Sequence, residues 1–257
     1  MRAVAKLAKR SARADTGLFL LEGAQSAREA LRYRPDVVLE FYATPTAVER
    51  YPDIREAATE AGVQIEFATE QVIEAMADTV TPQGIVAVAR QHPMSVREVF
   101  EGSPPLVAIC EQVRDPGNLG TIIRAADAAG ADAVVLTGRT VDVYNPKVVR
   151  STAGSLFHLP VSVGIDLDTA TAHARQSGLQ VLAADIGGED VLAVRDQLAV
   201  PTAWIFGNEA HGLDQRARDL ADAAVCVPIY GQAESLNVAT AASICLYQTA
   251  FAQRSLT

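Results

Sequence analysis

Cysteine, histidine and aromatic side chains are all scarce in this chain. The three cysteines (Cys110, Cys226, Cys245) are an odd number without metal-ligand spacing. That argues against a disulfide scaffold and a structural zinc site, and it fits a reducing, cytoplasmic setting with the thiols packed in the core. His211 has no second His, Cys or carboxylate at a matching spacing, so no metal is expected. No apolar run reaches the roughly 18 residues needed to span a bilayer, and no membrane is expected among the partners. The opening MRAVAKLAKRSARAD is basic but lacks the apolar stretch of a signal peptide. Positive charge is also short. With 22 Lys and Arg against 31 Asp and Glu the net charge is −9, which argues against a protein that coats nucleic acid non-specifically.

What is present is enough for a folded core, since 49% of residues are hydrophobic and 21% charged. The charge is uneven: Arg2, Lys6, Lys9, Arg10 and Arg13 all precede the first acidic residue, Asp15. Such an arm either holds phosphates, leaving specificity to shape, or is a solvated, frayed terminus. Through residue 92 short apolar runs (37–43, 63–67, 85–89) alternate with helical spacing over 47–61 and 70–77, a small α/β module of the size of a binding domain. Pro93, Gly102, Ser103, Pro104 and Pro105 mark a linker over 93–105. From 106 to 257 strand and helix alternate, with apolar runs at 106–110, 133–136, 181–184, 203–206 and 225–229. That pattern predicts a mostly parallel sheet covered on both faces, with ligands held at the carboxyl ends of its strands.

Three stretches there carry chemistry. The first runs from Glu111 to Arg124, a Pro-Gly turn entering a helix, with Asn118 near the helix start and Arg124 among apolar neighbours. Arg124 either snorkels or pairs with a carboxylate, or points its guanidinium into a site. The spacing here is not G-x-G-x-x-G, and Thr137-Gly138 rather than an acidic residue closes the next strand, so a dinucleotide site is not expected. The second stretch, Tyr144 to Ser155, opens a helix at Pro146 with Asn145 as its cap, and Lys147 and Arg150 share a face. That face suits a phosphate or is an ordinary solvated surface. The third passes from the strand at 203–206 into Gly207-Asn208-Glu209. It continues through a strand broken at Pro228 to Ser235-Leu236-Asn237, with Ser235 expected to cap the long helix that follows.

In order over 106–251, these stretches closely resemble the SpoU-type (TrmH-like) RNA ribose 2′-O-methyltransferases of the trefoil-knot SPOUT superfamily. The shared motifs are N-x-G-x-x-x-R at Asn118, Gly120 and Arg124, and R-S-x-x-G at Arg150, Ser151 and Gly154. G-N-E at 207–209 and S-L-N at 235–237 complete them. By length and texture residues 1–92 are similar to that family's small N-terminal RNA-binding domain, which is ribosomal-protein-like.

The resemblance implies an α/β, trefoil-knotted methyltransferase domain that uses S-adenosylmethionine, and usually a homodimer with the site near its interface. It implies that Gly207, Val227, Ile229 and Leu236 line the adenosine pocket. It makes Arg124 the catalytic residue. Guanidinium groups keep their proton at neutral pH, which favours stabilisation of the developing alkoxide over proton abstraction. Asn118 would orient Arg124 or the ribose, Glu209 would fix the loop or a partner arginine, and Ser235 and Asn237 would hold the hydrogen-bond network. Arg150, Lys147, Arg10 and Arg13 would meet the substrate RNA. The expected substrate is ribosomal RNA. The alternatives are transfer RNA, or a non-catalytic RNA-binding or assembly factor that keeps the fold.

Overall fold

Continuous apolar runs become the central strands of two sheets, one in each of the two units of the chain. The computed structural model describes residues 1–255. The first unit comprises residues 1–92 and 142–158, and the second comprises 93–141 and 159 onward. Among the described residues no helix is long and apolar enough to cross a membrane.

In the first unit four strands, β1 (Leu18–Glu22), β2 (Val38–Ala43), β3 (Ile65–Phe67) and β4 (Ile85–Arg90), form a sheet of order β1-β4-β2-β3. β4 runs antiparallel to both neighbours and is buried from Ile85 to Ala89, as its unbroken Ile-Val-Ala-Val-Ala run requires. The spacing predicts one helix over 47–61, and the structure has two, Pro45–Arg50 and Pro52–Glu60. A residue before proline is pushed out of the helical region, and Tyr51 sits at φ −125°, ψ 69°. Neither β1 nor the helix Ala24–Tyr33 is expected from the pattern above.

Residues 142–158 fall within the span read as the second domain, yet they pack in the first unit. The reason is aromatic. Tyr144 lies 4.7 Å and Phe157 6.5 Å, centroid to centroid, from the buried Phe19, and the Tyr144 hydroxyl accepts the His92 backbone N–H at 2.9 Å. The stretch read as a linker likewise contains a helix, Val96–Phe100, closed by a capping box between Ser95 and Glu98.

Two expected RNA-binding arginines are engaged inside this unit. Arg13 is 2% exposed, which removes it from the phosphate-binding surface assigned to it above. Its guanidinium donates to the Leu7 and Ala8 carbonyls, both at 2.8 Å, and to Asp142 at 2.6 and 2.9 Å. Its neighbours Arg2, Lys6, Lys9 and Arg10 are exposed, on or between the short helices Arg2–Lys6 and Arg10–Thr16, so the arm is folded rather than frayed. Arg150 is half-buried and bonds to Glu22 and Asp78 at 3.3 Å, while Glu22 also accepts the Asp78 and Thr79 backbone N–H groups.

The second unit is built on β5 (Leu106–Glu111), β6 (Ala133–Thr137), β7 (Val161–Ile165), β8 (Gln180–Asp190), β9 (Thr202–Phe206) and β10 (Ala223–Cys226). They are parallel throughout, in the order β10-β8-β9-β5-β6-β7. Alternate residues face opposite layers. Val107, Ile109, Val135, Ala203 and Ile205 pack with the helices Val96–Phe100 and Leu167–Gln176. The long helices Pro116–Ala129 and Val238–Arg254 pack against each other and on β5, where the Trp204 indole N–H donates to the buried Thr249 hydroxyl at 2.9 Å. Burial pushes the Cys110 and Cys245 thiols up to about 12, so neither is a nucleophile at neutral pH.

Replacing Arg13 by alanine should destabilise the protein by about 2–4 kcal/mol, because two carbonyls and a part-buried carboxylate lose their partner together. Urea denaturation followed by circular dichroism measures it. A loss under about 1 kcal/mol would mean that the arm is held by its apolar contacts alone.

Candidate active site

The order of the parallel sheet places the site. From β5 the chain steps outward through β6 and β7, and β8, β9 and β10 then lie on the other side, with β9 paired to β5. Loops leaving the carboxyl ends of β5 and β9 therefore start side by side, where parallel sheets open a crevice. The loop after β5 is bent at Gln112, whose φ of 54° is left-handed. It enters the helix Pro116–Ala129 through Asp115, which caps it by accepting the Asn118 backbone N–H at 2.8 Å, with Pro116 at the first helical position. The loop after β9 is a tight reversal in which Asn208 and Gly212 exchange backbone hydrogen bonds at 2.9 and 3.2 Å. A Cβ on Gly207 would lie 2.7 Å from the Gly212 backbone, so no other residue fits there without moving the loop.

Glu209 joins the two loops. Its carboxylate accepts the Arg114 and Asp115 backbone N–H groups at 3.3 and 3.1 Å and the Asn118 side-chain amide at 3.2 Å. Asn118 Oδ1 in turn accepts from Asn237 Nδ2 at 2.9 Å. Asn237, not Ser235, caps the last helix: its Oδ1 accepts from Ala239 and Thr240 at 2.9 and 3.3 Å. Ser235 lies two residues before that cap, on the cavity wall. Sequence reasoning passed over Asn208, whose amide donates to the Gln112 carbonyl at 2.9 Å and whose oxygen accepts from Ala210. The Asn between Gly207 and Glu209 was the available signal, since side chains of this type lock loops.

Beside this network a cavity of about 530 Å³ opens at the ends of β8, β9 and β10. Gly207, Val227, Ile229 and Leu236 line it together with Glu209, Ser235 and Asn237. A second hollow of about 780 Å³ lies over the loop after β5 and is lined by Gln112, Arg114, Asn118 and Glu209. The two hollows share the loop from Asn208 to Gly212. Arg124 stands apart. It is exposed on the helix Pro116–Ala129 and lines neither hollow, and among the described residues its side chain makes no hydrogen bond or ion pair.

Comparison with known proteins gives this arrangement its family. The sequence profile of the SpoU rRNA Methylase family matches residues 105–247, and that of RNA 2′-O ribose methyltransferase substrate binding matches residues 20–95. The chain belongs to the SpoU rRNA methylase family. It is 37% identical over 243 residues to the 23S rRNA (guanosine(2553)-2′-O)-methyltransferase RlmP of Bacillus subtilis, covering 94% of this chain and 92% of that protein. It is 33% identical to the 23S rRNA (uridine(2479)-2′-O)-methyltransferase of Streptomyces viridochromogenes, over 95% of this chain and 86% of that one. Among solved structures it is similar to the AdoMet-bound rRNA methyltransferase from Sinorhizobium meliloti, with a TM-score of 0.83 and 29% identity, over 100% of this chain and 94% of that one.

In this SpoU family member, Glu209→Ala should free the loop after β5. Hydrogen exchange at the Arg114 and Asp115 amides is expected to quicken about tenfold or more as each loses its charged acceptor. Unchanged protection at both amides would show that Glu209 does not hold the loop.

Proposed function

We propose that this chain is an S-adenosylmethionine-dependent methyltransferase that modifies a ribose 2′-hydroxyl of ribosomal RNA. The observation that carries the reading is the junction of Asn118, Glu209 and Asn237, three residues from distant stretches hydrogen-bonded at the rim of a cavity. The cavity suits the donor: its volume lies in the range of small-ligand sites, and Val227, Ile229 and Leu236 offer an adenosine an apolar bed. When bound, S-adenosylmethionine supplies an electrophilic methyl group on a sulfonium. The chain's own residues position and stabilise. Glu209 is occupied by three N–H groups, so its part is to hold Asn118 and the turn. Among the described residues the amides of Asn118 and Asn237 each keep one N–H unspent, available to orient the ribose. The trefoil knot implied by the resemblance belongs to the same reading, since the chain from 227 to 237 supplies three of the donor-lining residues.

Arg124 completes the reading as a charged stabiliser of the alkoxide, supplied to each site by the partner subunit of a homodimer. Its exposure, with no counter-ion among the described residues, supports this. So do the exposed Tyr247 and Phe251 on the neighbouring last helix, where the Tyr247 hydroxyl donates to the Ala128 carbonyl. Arg10 and Lys147, both exposed, are the proposed phosphate contacts.

Radiolabelled methyl should pass from S-adenosylmethionine to ribosomal RNA and survive alkaline hydrolysis in dinucleotides. Arg124→Ala should lower kcat about a hundredfold or more while the donor Kd stays unchanged. Mixing Arg124→Ala with Asn237→Ala should restore turnover that neither has alone. Absence of any restoration would overturn supply across subunits, and normal turnover by Arg124→Ala alone would overturn its role. Replacing Arg10 and Lys147 by alanine should raise KM for RNA and flatten its salt dependence by about one to two units of log–log slope. An unchanged slope would remove both residues from the RNA surface.

A further inference from the structure

Across β9 from the Glu209 network, the cavity wall carries an ion pair that the site described so far does not use. β9 has β5 on one side and β8 on the other. Glu209 ties β9 to the loop after β5, while Asp185 belongs to β8 and Arg218 to the helix Gln215–Asp219. Arg218 donates through one terminal nitrogen to Asp185 Oδ2 at 3.1 Å, and Asp185 Oδ1 accepts the Gly187 backbone N–H at 2.9 Å. Both residues line the cavity that holds Gly207, Val227, Ile229 and Leu236.

The pair is asymmetric. The Asp185 side chain is 13% exposed and fixed from two sides, whereas that of Arg218 is 39% exposed. Among the described residues the guanidinium spends one N–H on Asp185, which leaves its other donors for a ligand. An ion pair at that exposure adds little to stability by itself. The other acidic or basic residues that line the cavity are His211 and Glu209, and Glu209 is taken up by N–H donors. An anionic ligand end reaching this part of the cavity would therefore find its counter-charge in Arg218, and a cationic one in Asp185.

We propose that Arg218, held in place by Asp185, binds the carboxylate of the donor's amino-acid tail and selects tailed adenosine sulfur compounds over tail-less ones. The proposal rests on the donor reading above and deepens it. The tail is a zwitterion, and this pair offers both complementary charges in one place. A guanidinium suits the task because its fork can take a carboxylate through two parallel N–H bonds. Arg218 is thus a specificity-determining residue that touches no reacting atom.

Isothermal titration of the full chain with S-adenosylhomocysteine and with 5′-methylthioadenosine tests it without turnover. The two share the adenosine and the thioether, and only the first carries the amino-acid tail. Wild type should prefer S-adenosylhomocysteine. In Arg218→Ala its affinity should fall about ten- to a hundredfold, with 5′-methylthioadenosine unchanged within about twofold. Asp185→Asn, which keeps an acceptor for Gly187, should reduce the same preference by a smaller factor. If Arg218→Ala keeps the wild-type preference, the assignment is wrong. It is also wrong if both ligands weaken equally, since the residue then merely supports the wall. Binding of neither ligand by wild type would instead overturn the donor reading of the whole cavity.

Discussion

The Glu209 carboxylate holds together segments that the chain keeps far apart, and the rest of the site depends on it. Two of its three N–H partners are backbone groups at the turn into the helix Pro116–Ala129, and the third is the amide of Asn118. Backbone N–H groups at a helix entry are unsatisfied by the helix itself and favour negative charge. A glutamate delivered from β9 therefore finds partners already arranged for it. Because Asn118 is fixed by Glu209 on its nitrogen and by Asn237 on its oxygen, its amide has one orientation consistent with both bonds. Asn237 is fixed in turn by capping the last helix. Each link is a modest hydrogen bond, and together they set the register of three loops.

That arrangement is possible because of the sheet. An all-parallel sheet delivers every strand's carboxyl end to the same edge, and the order β10-β8-β9-β5-β6-β7 puts β9 between the strands that supply its partners. On the β5 side the contacts are uncharged amides around one carboxylate. On the β8 side they are the ion pair of Asp185 and Arg218. The cavity lies between an end suited to orienting a hydroxyl and an end suited to holding charge.

Much of this was legible in the sequence. The strands β5, β6, β8 and β9 announce themselves as unbroken apolar runs, whereas β7 was not among those runs and β10 begins earlier than the run at 225–229. The motifs at 118–124, 207–209 and 235–237 mark the loops that meet. Beyond the missed elements of the first unit, three more things were not legible, each for a physical reason. Arg13 reads as surface charge because sequence does not show that Asp142, 129 positions on, will neutralise it. Ser235 and Asn237 are equally good caps by residue type, and only the backbone at the helix entry decides between them. Residues 142–158 read as part of the second domain yet pack in the first unit, because Tyr144 and Phe157 find Phe19. Periodicity describes an element's own face and says nothing about which sheet that face will meet.

The composition of the site constrains the chemistry it can perform. Asn118 and Asn237 do not titrate, and Glu209 is taken up by N–H donors. On the proposed reading the site would orient a ribose hydroxyl beside the activated methyl group that the bound donor would supply, with solvent water, rather than any of these side chains, taking the hydroxyl's proton. A guanidinium placed near the oxygen stabilises the charge that develops without having to lose its own proton. This favours an arginine that is free of carboxylates in the isolated chain, because a counter-ion would cancel the field it is meant to supply. Arg13, Arg150 and Arg218 are all paired with carboxylates. Arg124 is exposed and makes no such pair among the described residues, the electrostatic condition that a stabiliser acting on another surface has to meet.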